Sequence, residues 1–372
     1  MPESVFLYTD SPFVGGAEHA LLMLAGSLDR ARWRPTLLVG SSGGAAELAP
    51  LAREAGLPAR RVAEAPLGLA GAIRVPELAR MLRRERPVVF HAHLSWPLAA
   101  KFPLAAAVLA RVPVIVATVQ LVPEFEPGRS SLMQLRALAA GVDRCIAVSH
   151  DVARHLVERF RWPAHKVAVV HNAVRLERFG AQANGALRAE LRAAAGEPLV
   201  LTCARLDAQK GHRVLLDAAA QLPGVRFALA GDGPERAALE LHAERVGVRD
   251  RVAFLGRRDD VPELLAACDV FALPSLYEGS SLAVLEAMAA GRAVVSSRIG
   301  GTDELIGDGH SGLLVPPGDP AALAQALRRV IADDALRARL GARARERARR
   351  EFDAEAATRA VTRIYEEVLA RG

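Results

Sequence analysis

The chain is expected to be an α/β protein of two doubly wound, Rossmann-like domains facing each other across a cleft. Three observations predict this. Short apolar runs alternate with amphipathic stretches from end to end, the pattern of parallel strands and their covering helices. The pattern starts twice, near residue 5 and again near residue 199, with an irregular stretch between. A length of 372 residues is long for one core and comfortable for two.

In the first half, 5–8, 36–39, 88–91, 114–118 and 145–148 read as strands, with helices at 18–28, 45–55, 75–84 and 96–110. The second half repeats the order with strands at 199–204, 226–230, 252–255, 270–273 and 294–297. Between the halves, Ala181-Gln182-Ala183-Asn184-Gly185 has the character of a linker. The boundaries are 1–175 for the first domain, 176–197 for the linker, 198–352 for the second domain and 353–372 for a final helix. That helix follows a break at Phe352-Asp353. Ligands are expected at the carboxyl ends of both sets of strands.

Composition narrows the class. Hydrophobic residues make up 51% of the chain, ample for buried sheets, yet no apolar run is long enough to cross a membrane. The start, Met-Pro-Glu-Ser-Val-Phe-Leu-Tyr, lacks the basic and apolar regions of a signal peptide, so a cytoplasmic location is expected. Cys145, Cys203 and Cys268 lie far apart in apolar segments and read as core residues, not as a disulfide frame or metal site. The net charge of +6 does not imply nucleic acid, because arginine is interleaved with alanine throughout and lysine occurs only at Lys101, Lys166 and Lys210. Arginines 337–350 mix with acids at helical spacing, as on a solvated face. The cluster Arg80, Arg83, Arg84 and Arg86 suits peripheral contact with an anionic membrane surface, on its inner face, or with an acidic acceptor.

The densest chemistry lies at 274–291. Strand 270–273 runs into a polar loop holding Glu278, then a short helix closed by Gly291. Ser280 or Ser281 can cap that helix, whose first-turn N–H groups, Leu282 onward, form an anion site favoured by the helix dipole. Glu278 precedes the helix and Glu286 lies on its second turn, leaning back toward the same end. Carboxylates add nothing to an anion's stability, so these two are expected to hold hydroxyls of a sugar and a ribose.

This Glu278–Glu286 pattern, followed by Ala287-Met288-Ala289-Ala290-Gly291, resembles the signature of retaining glycosyltransferases of family 4, whose fold is called GT-B. Arg205-Leu206-Asp207-Ala208-Gln209-Lys210-Gly211 matches the family's next landmark, with Ala204 in place of its first glycine. The resemblance implies that Arg205 and Lys210 grip a donor diphosphate and stabilise it as the leaving group. Gly231-Asp232-Gly233-Pro234, Phe254-Leu255-Gly256, Gly300-Gly301 and 312–317 also match. By the same resemblance Gly231 belongs to the donor site and Arg257 is a candidate contact to the base.

The first half resembles the family more loosely. Gly15 and Gly16 form a glycine turn that lets backbone N–H groups approach the donor diphosphate. His91-Ala92-His93 ends a strand, and relatives carry a histidine here near the reacting carbon; His93 is the first choice and His91 the second. Gln120 stands where many relatives have histidine, which unsettles the acceptor side, where His91, Gln120 and Ser149 are the candidates. His171-Asn172-Ala173 is a further landmark. The resemblance thus implies sugar transfer from a nucleotide diphosphate sugar, UDP ahead of GDP, to a hydroxyl acceptor: a glycan, lipid or small metabolite. Retention, no divalent metal and no cofactor are expected, with Arg205, Lys210, Glu278 and His93 catalytic. The first domain would serve the acceptor and the second the nucleotide sugar, and the resemblance implies that the final helix, 353–372, packs back on the first domain. The alternatives are a non-catalytic sugar-nucleotide-binding protein and an epimerase of the same fold.

Overall fold

Strand formation follows the apolar runs. The computed structural model describes residues 1–9, 11, 14–40, 43–62, 68–123, 126–180, 185–191, 193–194 and 196–371. The chain divides into two units, Met1–Asn172 with Ala354–Gly372, and Ala173–Asp353.

The first unit holds β1 (Glu3–Thr9), β2 (Trp33–Val39), β3 (Ala59–Arg61), β4 (Val89–Leu94), β5 (Val114–Val119), β6 (Arg144–Ala147) and β7 (Val167–Val169). They form one parallel sheet in the order β3-β2-β1-β4-β5-β6-β7. The second unit holds β8 (Leu199–Cys203), β9 (Arg226–Ala230), β10 (Val252–Gly256), β11 (Val270–Leu273), β12 (Ala293–Ser297) and β13 (Leu313–Val315). Their order is β10-β9-β8-β11-β12-β13, again parallel. In each sheet the winding reverses once, between β1 and β4 and between β8 and β11. Loops leaving the carboxyl ends there diverge, which opens a crevice for ligands.

Helices cover both faces, so central strands read as near-continuous apolar runs, with His91 and His93 as polar members of β4. Every residue of β4, β5 and β11 is buried. Along β1, Phe6 and Tyr8 pack into one core with Phe90 and Trp162, while Val5 and Leu7 pack into the other with Leu21 and Trp33. The second unit does the same, with Leu199 and Leu201 on one side and Val200 on the other.

The last helix, Ala354–Leu369, belongs to the first unit. It buries Val361, Ile364 and Tyr365 in the Val5–Trp33 core, and the Tyr365 ring meets Trp33 edge-on at 5.6 Å.

The expected linker at 176–197 is corrected. Ala181, Gln182, Ala183 and Asn184 lie outside the described residues, but Leu176–Phe179 is a 3-10 turn and Gly185–Glu190 a helix. Phe179, Leu187 and Leu191 are buried in the second unit's core. Arg188 ties the helix down, donating to the carbonyls of Ala267 at 2.8 Å and Glu197 at 2.6 Å. Leu187 and Leu191 are one helical turn apart, but one such pair between Gly185 and Gly196 is too short a pattern to mark an element; with Phe179 they gain a partner surface only in the folded unit. Edge strand β3 escaped the sequence for a related reason: Ala59, Arg60 and Arg61 are all exposed and form no apolar run.

Candidate active site

Each sheet gathers polar side chains at its winding reversal. In the second unit β8 delivers Arg205 and Lys210, and β11 delivers Glu278. Asp207 caps the turn Ala208–Lys210, accepting the Lys210 N–H at 3.3 Å, and forms an ion pair with Arg205. The Lys210 ammonium lies 2.5 Å from Glu278 Oε1, which also accepts a hydrogen bond from Ser275 Oγ at 2.9 Å.

Backbone contacts fix this meeting. Gly211 has φ +65°, and a Cβ there would stand 2.0 Å from the Pro274 carbonyl oxygen. The Leu276 N–H donates to the Gln209 carbonyl at 2.8 Å, and Gln209 Nε2 donates to the Tyr277 carbonyl at 2.9 Å. A Cβ on Gly301 would lie 2.5 Å from the Gly279 carbonyl oxygen, so the Gly300-Gly301 turn buttresses the Glu278 loop from behind. Gly231 plays a similar spacing part for the Arg205 loop: at φ +147° its missing Cβ leaves room for the Ala204 carbonyl.

The helix after Glu278 spans Leu282–Ala289 and is capped by Ser281, whose Oγ accepts the Val284 N–H at 3.4 Å. The structure thus selects Ser281 over Ser280 as the cap; Ser280 is buried beside it. Gly291, with φ +68°, follows the helix. Glu286 lies half-buried on the same helix. Burial pushes its carboxyl up to about 7, against the pull of the Arg178 charge. Arg257 is exposed just beyond β10, next to Arg258, which is held by Asp260 at 2.6 Å and Glu190 at 2.7 Å.

In the first unit, the helix Gly16–Ser27 follows the glycine turn. Glu18 reaches back to accept the Gly15 N–H at 3.0 Å and the Thr9 hydroxyl at 3.1 Å, so Gly15's own donor is engaged by the chain. Burial raises the Glu18 carboxyl above its ordinary value, opposed by these same hydrogen bonds. The spacing of glycine and glutamate was the available sequence signal for this box. Phe13, which opens the motif, lies outside the described residues.

The two histidines separate cleanly. His91 Nδ1 meets Tyr365 Oη at 2.6 Å and His91 Nε2 meets Thr118 Oγ1 at 2.7 Å, so both ring nitrogens are used inside the core. His93 is 5% exposed, and neither of its nitrogens has a partner among the described residues. Burial drives its pKa down to about 3, leaving a neutral ring that offers one donor and one acceptor. This favours His93, the first choice, over His91. One strand along, Asn172 Nδ2 donates to Gln120 Oε1 at 2.9 Å, leaving the buried Gln120 Nε2 without a partner among the described residues. Ser149, at the end of β6, caps the helix His150–Glu158 by accepting the Val152 N–H at 3.1 Å. Its hydroxyl therefore already serves the fold. Sequence reasoning missed Ser275, three residues before Glu278, and also Gln209 and Arg178, which act on the glutamates or their loop from far along the chain and so leave no local pattern.

Both halves of the chain match glycosyltransferase family models. The family described as Glycosyltransferase Family 4 matches residues 14–178, and Glycosyl transferases group 1 matches residues 184–347. The lipopolysaccharide core biosynthesis glycosyltransferase LpsE of Rhizobium meliloti (strain 1021) is 40% identical over 177 residues, 48% of this chain and 52% of that protein. A D-inositol 3-phosphate glycosyltransferase of Streptomyces bingchenggensis (strain BCW-1) is 34% identical over 250 residues, 62% of this chain and 54% of that protein. The chain thus spans about half the length of these curated relatives. Among solved structures, Anabaena Alr3699/HepE in complex with UDP superposes with a TM-score of 0.83 at 25% identity, covering 98% of this chain and 100% of that one. With both halves matched by family models and its two parallel-sheet units shared with GT-B structures, the chain belongs to glycosyltransferase family 4.

Proposed function

We propose that the protein transfers a sugar from a nucleotide diphosphate sugar to a hydroxyl acceptor, with retention at the anomeric carbon and without a divalent metal. The observation that carries this is the convergence of Lys210, Arg205, Glu278 and the Ser281-capped helix at the β8/β11 reversal. As the anomeric bond breaks, negative charge grows on the departing diphosphate. Arg205, Lys210 and the helix N-terminus oppose it, each such donor contributing about 2–4 kcal/mol. These cations take the part a metal plays in other transferases. Glu278 holds sugar hydroxyls and Glu286 the ribose. The reading has the departing phosphate accept the acceptor's proton on the same face, since no side chain is assigned as nucleophile.

The unit Ala173–Asp353 would bind the donor and the first unit the acceptor, with neutral His93 and Gln120 suited to sugar hydroxyls. UDP is favoured as the donor nucleotide because the Anabaena neighbour was solved with it. The helix Leu69–Glu85 carries exposed Leu69 and Ile73 along with Arg80, Arg83 and Arg84, which supports peripheral contact with anionic lipid. Vesicles with and without an anionic lipid test that contact by cosedimentation. Acceptor-dependent release of UDP from UDP-sugars, measured with and without chelator, tests the transfer. Release only after magnesium or manganese is restored would overturn the metal-free mechanism, and binding without release would leave a non-catalytic protein.

A further inference from the structure

The contact between Lys210 and Glu278 is built into the fold. Their side chains are only 20% and 7% exposed, so solvent screens the pair weakly. Ser275, which is fully buried, donates to the same carboxylate oxygen that Lys210 meets. The loops carrying the two charges are stitched by Gln209 at both of its amide and carbonyl ends, and Gly211 lies against Pro274. Any diphosphate that reaches for Lys210 therefore meets a carboxylate already bound at that nitrogen.

We propose that Glu278, positioned by Ser275, is a competing counter-ion for Lys210 that lowers affinity for the bare nucleoside diphosphate and so speeds product release. The proposal rests on the glycosyltransferase reading above and adds a second role to its sugar-binding carboxylate. With an intact donor, sugar hydroxyls donate to Glu278 and compensate for the ammonium it gives up. The product brings no such hydroxyls: its phosphates take Lys210 and leave a little-exposed carboxylate facing an anion. Glu278 thereby discriminates donor from product by charge. Ser275 is a positioning residue, holding the carboxylate where it can compete.

Calorimetric titration of the full chain with UDP and with UDP-glucose tests this. Glu278→Gln keeps the shape and the bond from Ser275 while removing the charge. It is expected to bind UDP about tenfold more tightly than wild type, the effect of removing one nearby like charge, and UDP-glucose no more tightly. Ser275→Ala should shift UDP affinity the same way by about two- to threefold, through a loosened carboxylate. A merely structural lesion would weaken UDP binding, so tightening is diagnostic. Equal or weaker UDP binding by folded Glu278→Gln overturns the proposal; if that variant fails to fold, the same result for Ser275→Ala overturns it. Wild-type protein that binds none of UDP, GDP and ADP would overturn the transferase reading itself and this inference with it.

Discussion

At the carboxyl edge of the first sheet, His93 and Gln120 hold buried nitrogens without partners among the described residues, and burial keeps the imidazole neutral. At the matching edge of the second sheet, Lys210 pairs with Glu278 and Arg205 with Asp207. His93 lies at the first sheet's reversal and Gln120 one strand beyond it, while the charged cluster sits at the second sheet's reversal, so topology places them alike and the residues at the strand ends decide their chemistry. A neutral donor–acceptor pair suits hydroxyl groups. Paired charges suit a dianion that can displace one partner. The same topology thus presents two kinds of polar cluster.

Breaking the charged cluster should have the largest effect. Lys210→Ala or Arg205→Ala is expected to cut turnover at least about a hundredfold, from about 3 kcal/mol of lost leaving-group stabilisation, with the fold retained. Acceptor-dependent UDP release reads this, and near-normal rates in both variants would remove the charged half of the comparison.

The neutral cluster can be split by its two histidines. His91→Phe strands the Tyr365 and Thr118 hydroxyls in the core and should cost about 1–3 kcal/mol of stability. His93→Phe removes an imidazole with no partner among the described residues, so stability should hold while kcat/KM falls about tenfold or more. Thermal melts beside kinetics decide it. Equal loss of stability in both variants would mean His93 is as structural as His91.

Glu286 sharpens the comparison through pH. Its folded-state carboxyl titrates near 7, above its ordinary value, so the stability it contributes is present at low pH and lost as pH rises toward 7. Ribose hydroxyls bind the carboxylate better than the acid, so UDP affinity should rise about tenfold from pH 6 to 8. UDP's own phosphate also titrates in this range, so the part belonging to Glu286 is the difference from Glu286→Gln. An identical pH profile in that variant would unseat Glu286 from the ribose. The smallest effect is expected at Arg257. Arg257→Ala should change the preference for UDP over GDP by about two- to threefold, as an exposed contact would. No change in a competition titration would place the base elsewhere.

Much of the second cluster was legible because its signals are local. A strand, a loop glutamate, a cap at Ser280 or Ser281 and a glutamate on the following helix are neighbours in sequence, and helical geometry relates them. The first cluster was harder to read. His91 and His93 are two residues apart on one strand, and the period of two gives them the same facing. Tyr365, arriving from the end of the chain, and Thr118 on the neighbouring strand distinguish them by satisfying both nitrogens of one ring. The segment at 176–197 was misread for a similar reason, since the single helical pair Leu187 and Leu191, with Phe179, is too short a pattern to stand out until another helix supplies its surface.

By itself the sequence determined the alternation of strands and helices, its restart near residue 199 and the placing of Arg205, Lys210, Glu278 and Glu286 at strand ends and helix starts. These follow from hydrophobic periodicity and capping, which act over a few residues. Only the tertiary structure decided that Lys210 faces Glu278, that Ser275 holds that carboxylate, that His91 is spent in the core and that the final helix completes the first unit. Those outcomes depend on burial and, except for Ser275 and Glu278, on partners far apart in the chain. A side chain's charge state and its free valences are set by what surrounds it, and the surroundings exist only once the sheets are packed.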